Sequence, residues 1–489
     1  MREPASSPPR IERHVWLIAT VVAMGSVMSI LAVTIVNVAL ESLSSELHSP
    51  LTDIQWVATG YLLGMGAVIP VTAWAANRVG AKRLYLASLI AFVATSVLCA
   101  VAWTAPMLIG ARVLQGVAGG LSLPLGQMML ATAAGPRRMG QVMSVIGVPM
   151  VLGPMIGPIL GGALIDHLSW HWIFVVNVPV GLAAIALGWR LLPSVAPGEA
   201  GRLDTRGLVL LCAGVPLLIY GLSRTGAAGG FGSASVLLPA LAGAGLIVAF
   251  VVHALRTEEP LLDIRLLGNR RFAAAGLATF CTGAALYGAM LLLPLYFQTV
   301  RGEDAMSAGL LLIPQGLGAA LAMPYAGRLT DRIGGGRIAA VGMALMAVGT
   351  IPLAALTAET SYVLISAILV VRGMGTGISM MPLMAAAYAA LPAKAIVHAT
   401  PQLNVLQRIG GSIGTAILTV VLANGLIGVT TPDGQAAAFG HAYWWAIGVT
   451  ALAALPAIYL AVVERRARGR RAAVDGELLP SDDRRPVAA

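Results

Sequence analysis

The chain breaks into roughly fourteen apolar runs, each close to the ~20 residues an α-helix needs to cross hydrocarbon. They lie near 15–40, 54–76, 84–103, 106–132, 140–165, 172–192, 207–223, 235–255, 272–299, 307–327, 338–357, 361–389, 398–424 and 441–463. Inside a bilayer every backbone donor and acceptor must be paired within the protein, so such runs can only be helices packed into a bundle. With 58% apolar and 11% charged residues the chain falls far below the about 25% charge of a soluble domain. The expected fold class is therefore an all-α membrane protein.

The net charge of +10 does not mark a nucleic-acid surface, because the basic residues are spread over alternate loops. Arg78, Lys82 and Arg83 follow the second run, Arg137 and Arg138 the fourth, and Arg190, Arg202 and Arg206 the sixth. Arg256, Arg265, Arg270 and Arg271 follow the eighth, Arg328, Arg332 and Arg337 the tenth, Lys394 the twelfth, and Arg465 to Arg471 the last. The other set of loops carries only Arg224 and Arg301. By the positive-inside rule both termini are cytoplasmic and the protein is multi-pass in a plasma membrane. An Ala-, Gly- and Arg-rich composition points to a bacterial inner membrane. Cys99, Cys212 and Cys281 all fall within runs and imply no disulfide framework.

The fifth run contains GVPMVLGPMIGPILGG from Gly147 to Gly162. Pro149, Pro154 and Pro158 each remove a backbone donor, which a membrane helix tolerates when neighbouring helices satisfy the freed carbonyls. Gly153, Gly157 and Gly161 share one face at the small-xxx-small spacing that admits close helix contact. A bent, tightly packed helix suits a core that changes shape.

Two internal echoes suggest a duplicated half. AWAANRVGAKR from Ala73 aligns with GRLTDRIGGGR from Gly327, so Asn77, Arg78, Gly80 and Arg83 correspond to Asp331, Arg332, Gly334 and Arg337. Arg112 in ARVLQGVAGG likewise echoes Arg372 in VRGMGTG. Related halves around a midplane site are the architecture of alternating access. The expected organisation is a cytoplasmic tail (1–14), a six-helix bundle (15–192), linkers with an inserted helix pair (193–271), a second six-helix bundle (272–464) and a disordered tail (465–489).

The Gly147–Gly162 segment resembles the antiporter motif gxxxGPxxGG of major facilitator exporters, matching at Gly153, Pro154, Gly157, Pro158, Gly161 and Gly162. With TIVNVAL (34–40), QWVATGYLL (55–63), RVLQG (112–116), SWHWIFVVNVPVG (169–181), LPLYFQ (293–298), AGLLLIPQGLG (308–318) and LQRIGGSIGTA (406–416), the chain is similar to the fourteen-helix drug:proton antiporters of that superfamily. The resemblance implies two pseudo-symmetric six-helix bundles plus an inserted pair, and export of drugs, antibiotics or secondary metabolites. It also implies gate roles for the two echoed loops, Gly327 included.

Charges inside hydrocarbon are costly, so Arg112, Arg372 and Arg408 are functional candidates. Arg112 and Gln115, three apart, share a helix face and can point into a cavity. The resemblance makes Arg112 a conformational or proton-linked residue; the alternative is a structural arginine on backbone carbonyls. For Arg372, beside glycines 373, 375 and 377, a structural use carries at least equal weight. Asn404, Gln407 and Arg408 read as a polar cavity wall, and Asn37, Gln55, Tyr61, Gln127, Tyr287 and Gln315 as parts of a weakly polar tunnel.

Family members carry LDxTIVNVAL in the first helix, with a proton-linked aspartate; here Ala32 takes that position. Asn77 and Ala73 replace the aspartate and glycine of the first gate loop, whereas Asp331 and Gly327 keep them in the second. No acidic residue falls mid-helix, Glu41 and Asp166 lying at outer ends, so protons remain a candidate coupling ion without the family's usual carrier. Arginines without buried carboxylates disfavour small permanent cations and favour neutral or anionic amphiphiles.

The expected function is secondary active export of hydrophobic or amphipathic small molecules, with lipid export and a non-transporting sensor as the alternatives. Expected partners are the substrate and membrane lipids, with no nucleic acid and a monomeric chain. No cofactor or metal is expected, since Lys82 and Lys394 end no phosphate loop and the histidines, His167 and His171 among them, lack ligand spacing. An enzyme is not expected.

Overall fold

The computed structural model describes residues 13–135, 138–193, 201–225 and 230–477. Arg137, residues 1–12 and 478–489 of the tails, and residues 194–200 of the first linker lie outside them. Among the described residues 14 helices are long and apolar enough to cross a membrane. In chain order they are α1 His14–Thr34, α2 Asp53–Val79, α3 Ala81–Ala100, α4 Ala105–Ala134, α5 Met139–His167, α6 Trp172–Leu191, α7 Thr205–Ser223 and α8 Ala234–Arg256. There follow α9 Arg270–Thr299, α10 Met306–Ile333, α11 Gly335–Ala355, α12 Tyr362–Ala389, α13 Lys394–Leu426 and α14 Pro432–Ala467.

Helix starts follow from polar residues placed just ahead of each apolar run. The side chains of Thr104, Asp204, Ser233, Asn269 and Asp304 accept backbone N–H groups of the first turns of α4, α7, α8, α9 and the helix opening α10. The last helix starts earlier than its apolar run, at Pro432 with Asp433 in its first turn, a helix-start pairing. It also corrects the tail expected to be disordered from 465, because helix continues to Glu477. Residues 464–474 are mostly Ala and Arg with no proline, so nothing stops the turn from propagating.

The echoed loops adopt matching backbones. Gly80 has φ 93° and Gly334 φ 103°, each just after its helix and leading into the next. Their N–H groups donate to Ala76 O and Thr330 O, both at 2.9 Å. Positive φ is what makes glycine necessary at this paired position.

Helices α1–α6 pack chiefly on one another, as do α9–α14, and the two sets meet where α5 lies against α10 and α12 and where α13 lies against α4 and the 69–79 end of α2. The α7–α8 pair is held together by glycine contacts: a Cβ on Gly221 would lie 2.9 Å from Ala240 Cα, and one on Gly214 3.2 Å from Gly243 O. Helix α7 docks across the α2–α13 seam. Leu238, Leu241 and Val248 on α8 are exposed, as expected of a lipid-facing surface.

The core is divided unevenly between the two faces of the bundle. Toward the face bearing Arg83 and Arg337, called here the basic face, one cluster joins both sets of helices: Ile18, Leu130 and Met143 with Phe272, Met384 and Leu403. Toward the other face the sets have separate clusters, Ile35, Leu108 and Trp170 in one and Leu293, Leu369 and Phe439 in the other. A further cluster joins the sets midway, Met28, Tyr61 and Met65 with Val405, so the sets share apolar cores from the basic face to the middle of the bundle and have independent ones beyond it.

Candidate functional site

Arg112 is fully buried in α4. Its Nε donates to Val57 O at 3.0 Å, Nη2 to Ala32 O at 2.9 Å and Nη1 to Gln115 Oε1 at 2.7 Å. Gln115 Nε2 donates to Ser96 Oγ at 2.6 Å, and the guanidinium carbon stands 4.3 Å from the centre of the Tyr61 ring. Tyr61, also fully buried, donates its hydroxyl to Ser29 O at 3.0 Å. This corrects the expectation that Arg112 and Gln115 point into a cavity. Their common face turns into the α1–α2–α3 packing, and Gly116 lets α4 approach so closely that a Cβ there would lie 3.0 Å from Tyr61 Cα. A cation held only by neutral acceptors is the result.

Arg372, its counterpart in α12, is buried on the same plan. Its Nη1 donates to Gln315 Oε1 at 2.8 Å and its Nε to Thr350 Oγ1 at 3.3 Å. The shared rule is an arginine on a glutamine amide, with Gln115 coming from the same helix and Gln315 from another.

The glycine face of α5 meets α1 where that helix breaks at Ile35 before resuming at Val36. A Cβ on Gly157 would lie 2.7 Å from Thr34 Cβ and 3.2 Å from Ile35 N, and one on Gly161 3.0 Å from Ile35 O. Thr34 Oγ1 also donates to Gly153 O at 3.3 Å. Gly162 looks the other way, toward Met306. Pro154 and Pro158 lie inside this unbroken helix, and Pro158 stands 3.3 Å from a Cβ on Gly309 of α10.

At the basic face Asp331 caps the start of α5. Its Oδ1 accepts Gly140 N–H at 2.8 Å and its Oδ2 accepts Gln141 N–H at 3.2 Å. Gly327 and Gly140 bring the backbones together, for a Cβ on Gly327 would lie 2.6 Å from Gly140 O. Arg78, Arg83, Arg332 and Arg337 are exposed around this seal. Asn77 lines a different feature, a cavity of about 220 Å³ whose wall includes Asp204, Glu258, Glu259, Asp263 and His398. Asp204 anchors that wall: it accepts from His253 Nε2 at 2.8 Å, Gly207 N at 2.8 Å and Leu261 N at 3.2 Å. Burial pushes its carboxyl up, but these donors outweigh it and hold the group below its ordinary value.

Along α13 the expected polar wall separates into three environments. Asn404 is sealed, donating to Gln127 Oε1 at 2.8 Å and to Thr400 O at 2.9 Å; Gln127 is itself buried. Gln407 is buried on a different face, and its backbone would crowd a Cβ on Gly283 of α9. Arg408, one turn beyond Asn404, is half-buried. Its Nη2 meets Met65 Sδ at 2.6 Å, the only hydrogen-bond partner of its guanidinium among the described residues. Tyr287, packed on Gly411 and 39% exposed, Gln315, half-buried, and Asn37 and Gln55, both exposed, complete the set.

Sequence reasoning missed Thr34, Met65 and Gly140, each a partner rather than a charge. Thr34 opens the family-like TIVNVAL piece but nothing there named its partner, Met65 carries no signal, and Gly140 follows a basic loop at a helix start, where an acid elsewhere in the chain could be expected to dock.

A family model described as Major Facilitator Superfamily matches residues 22–415. The chain is 42% identical over 420 residues to the multidrug resistance protein B homolog of Mycobacterium tuberculosis, covering 85% of this chain and 78% of that protein. It is 31% identical over 411 residues to the multidrug export protein EmrB of Haemophilus influenzae, covering 83% and 80%. Among solved structures, the human organic anion transporter MFSD10 (TETRAN) matches with a TM-score of 0.63 at 15% identity, over 91% of this chain and all (100%) of the other. The proton:xylose symporter XylE matches with a TM-score of 0.63 at 15% identity, over 91% and 95%.

Proposed function

The chain belongs to the major facilitator superfamily, and from that premise we propose that it exports hydrophobic or amphipathic, neutral or anionic small molecules by alternating access. The two six-helix units of the cycle are 15–192 and 272–464, with 193–271 as an inserted pair. The basic face is cytoplasmic, the membrane is the bacterial plasma membrane, and the monomer is the working unit.

The observation that carries this reading is that the sets share a core at the basic face and a second, through Met65 and Val405, midway, against separate cores toward the other face. Such a bundle is closed toward the cytoplasm and, on the other side, is held across the sets by the α5–α10 contact of Pro158 with Gly309 rather than by a common core, one end of a two-state cycle. The relatives named for multidrug resistance and multidrug export supply the substrate class. Among described residues no carboxylate stands beside Arg112, Arg372 or Arg408, which turns the pathway away from permanent cations.

The test is accumulation by everted vesicles, with 1-pyrenebutyrate, its neutral amide and tetraphenylphosphonium as probes. The first two should accumulate above empty-vector vesicles and the third should not. Uptake of tetraphenylphosphonium alone would overturn the substrate reading. A cysteine at Arg224 should react with an impermeant maleimide on intact cells; reaction only after permeabilisation would invert the topology.

A further inference from the structure

The three intramembrane arginines do not have equivalent surroundings. Arg112 has three good acceptors and Arg372 two, and both are closed off from the surface. Among the described residues Arg408 has one acceptor, a thioether, which is weak. A guanidinium carries five donors in a planar fork, so most of the hydrogen-bonding capacity of Arg408 is unspent.

Its position matters as much as its chemistry. The Asn404–Gln127 bond is a buried polar bridge between α13 and α4, and the shared core of the basic face lies below it, through Leu403. Arg408 sits one turn further along α13, against Met65 of α2, with Tyr287 of α9 and Tyr61 of α2 within electrostatic range. Beyond that level the two helix sets have separate cores. Arg408 therefore stands half-buried at the cluster where Met65 meets Val405, the last apolar cluster the two sets share before their cores separate.

We propose that Arg408 is the docking point for a single anionic group, carboxylate or sulfonate, on an otherwise apolar substrate, and that it makes the pathway prefer acids over their neutral analogues. This rests on the export reading and deepens it. The anion displaces the Met65 thioether as acceptor and takes up the planar fork, while the apolar body lies against the methionine and tyrosine side chains. A charge-assisted bond of this kind is roughly twice as strong as a neutral one, so removing it should weaken the acid and spare its analogue.

The experiment is equilibrium binding to the full chain in phosphatidylcholine nanodiscs, using 1-pyrenebutyrate and 1-pyrenebutyramide and following quenching of tryptophan fluorescence. Arg408→Gln should weaken the acid by about tenfold or more and leave the amide within about twofold, while Arg408→Lys retains most of the acid preference. A parallel loss for both ligands, or no change for the acid, in variants that still elute as a monodisperse peak would overturn the assignment. Phosphatidylglycerol in the disc separates two sources of the same chemistry: competition with the acid makes a lipid headgroup an occupant of the site, and its absence leaves soluble acids as the occupants. Binding needs no turnover, so a wild-type chain that prefers the acid yet moves neither probe in vesicles would sink the export reading alone. Export without any acid preference would sink this assignment alone.

Discussion

Asp331 Oδ1 lies 2.8 Å from the backbone nitrogen of Gly140, joining the end of α10 to the first turn of α5 across the two helix sets. The residue at the repeated position, Asn77, lines a cavity with Asp204, Glu258, Glu259 and Asp263 instead. One gate loop thus carries its acid onto a helix N-terminus, where negative charge is favourable, and the other borders a wall whose four carboxylates outnumber its Arg202 and His398, where a further acid meets net like charge.

The two positions should respond in unlike ways. Asp331→Ala removes the acceptor for two N–H groups, a loss of about 1 kcal/mol on the scale of helix caps, or about fivefold in the closed population. Spin labels at Arg83 and Arg337 should report a longer distance in that variant. Asn77→Asp, which restores the family's acid, should also destabilise closure rather than strengthen it. A shorter label distance with Asn77→Asp would show that the acidic wall does not govern this loop.

Gly157 tolerates no side chain while α1 and α5 are in contact, since a Cβ would stand 2.7 Å from Thr34 Cβ. Gly157→Leu should cost about 1–3 kcal/mol through overpacking and lower transport by more than tenfold in protein that still reaches the membrane. Gly162→Ala, whose Cβ would be 3.9 Å from Met306, should transport normally. Equal transport by both variants would mean that the α1–α5 contact is not used in the cycle.

The number of spans, their order and the repeat were legible because hydropathy and glycine punctuation act over a single helix. The glycine face of α5 was legible for the same reason, although its partner, the break of α1 at Ile35, was not. Arg112 was the instructive miss. Its spacing to Gln115 gave a common face, but whether that face meets a cavity or the backbone carbonyls of Val57 and Ala32 depends on Gly116 and the approach of α2. The grouping of Asn404 with Arg408 failed similarly, because Gln127, 277 residues away in sequence, closes over one and not the other. The helical stretch after 464 was hidden by charge, which excludes the bilayer without excluding a helix.

Asp204 ties the inserted pair to the linker through Gly207, Leu261 and His253. Its carboxyl is held below the ordinary value, so its stabilisation is present above the unfolded carboxylate value near 3.9 and is lost as pH falls through the lower folded value. Proteolysis between residues 256 and 270, sampled from pH 6 down to pH 3 with an acid-stable protease, should rise at the acid end. Asp204→Asn should show the fast rate already at pH 6. An unchanged rate in that variant would remove the clasp from the account.

The last prediction concerns coupling, and it follows from the contact of Arg112 Nη2 with Ala32 O at 2.9 Å. The family's acid would project from the residue whose carbonyl now holds the guanidinium, so Ala32→Asp places a carboxylate within reach of a buried cation that has only neutral partners. Pairing would relieve that charge, and loss of the pair on protonation would expose it again, linking the α1–α4 contact to the proton. Everted vesicles carrying Ala32→Asp should therefore show export that responds more steeply to an imposed pH gradient than the wild type. Arg112→Met in the same background should abolish the added response, while in the wild-type background it should destabilise the protein by about 1–3 kcal/mol, chiefly by taking the guanidinium donor from the buried Gln115 Oε1. The decisive control is an uncoupler. Complete loss of wild-type accumulation on collapsing the gradient, unchanged by Glu41→Gln and Asp166→Asn, would place the coupling group elsewhere and remove the significance assigned to Ala32.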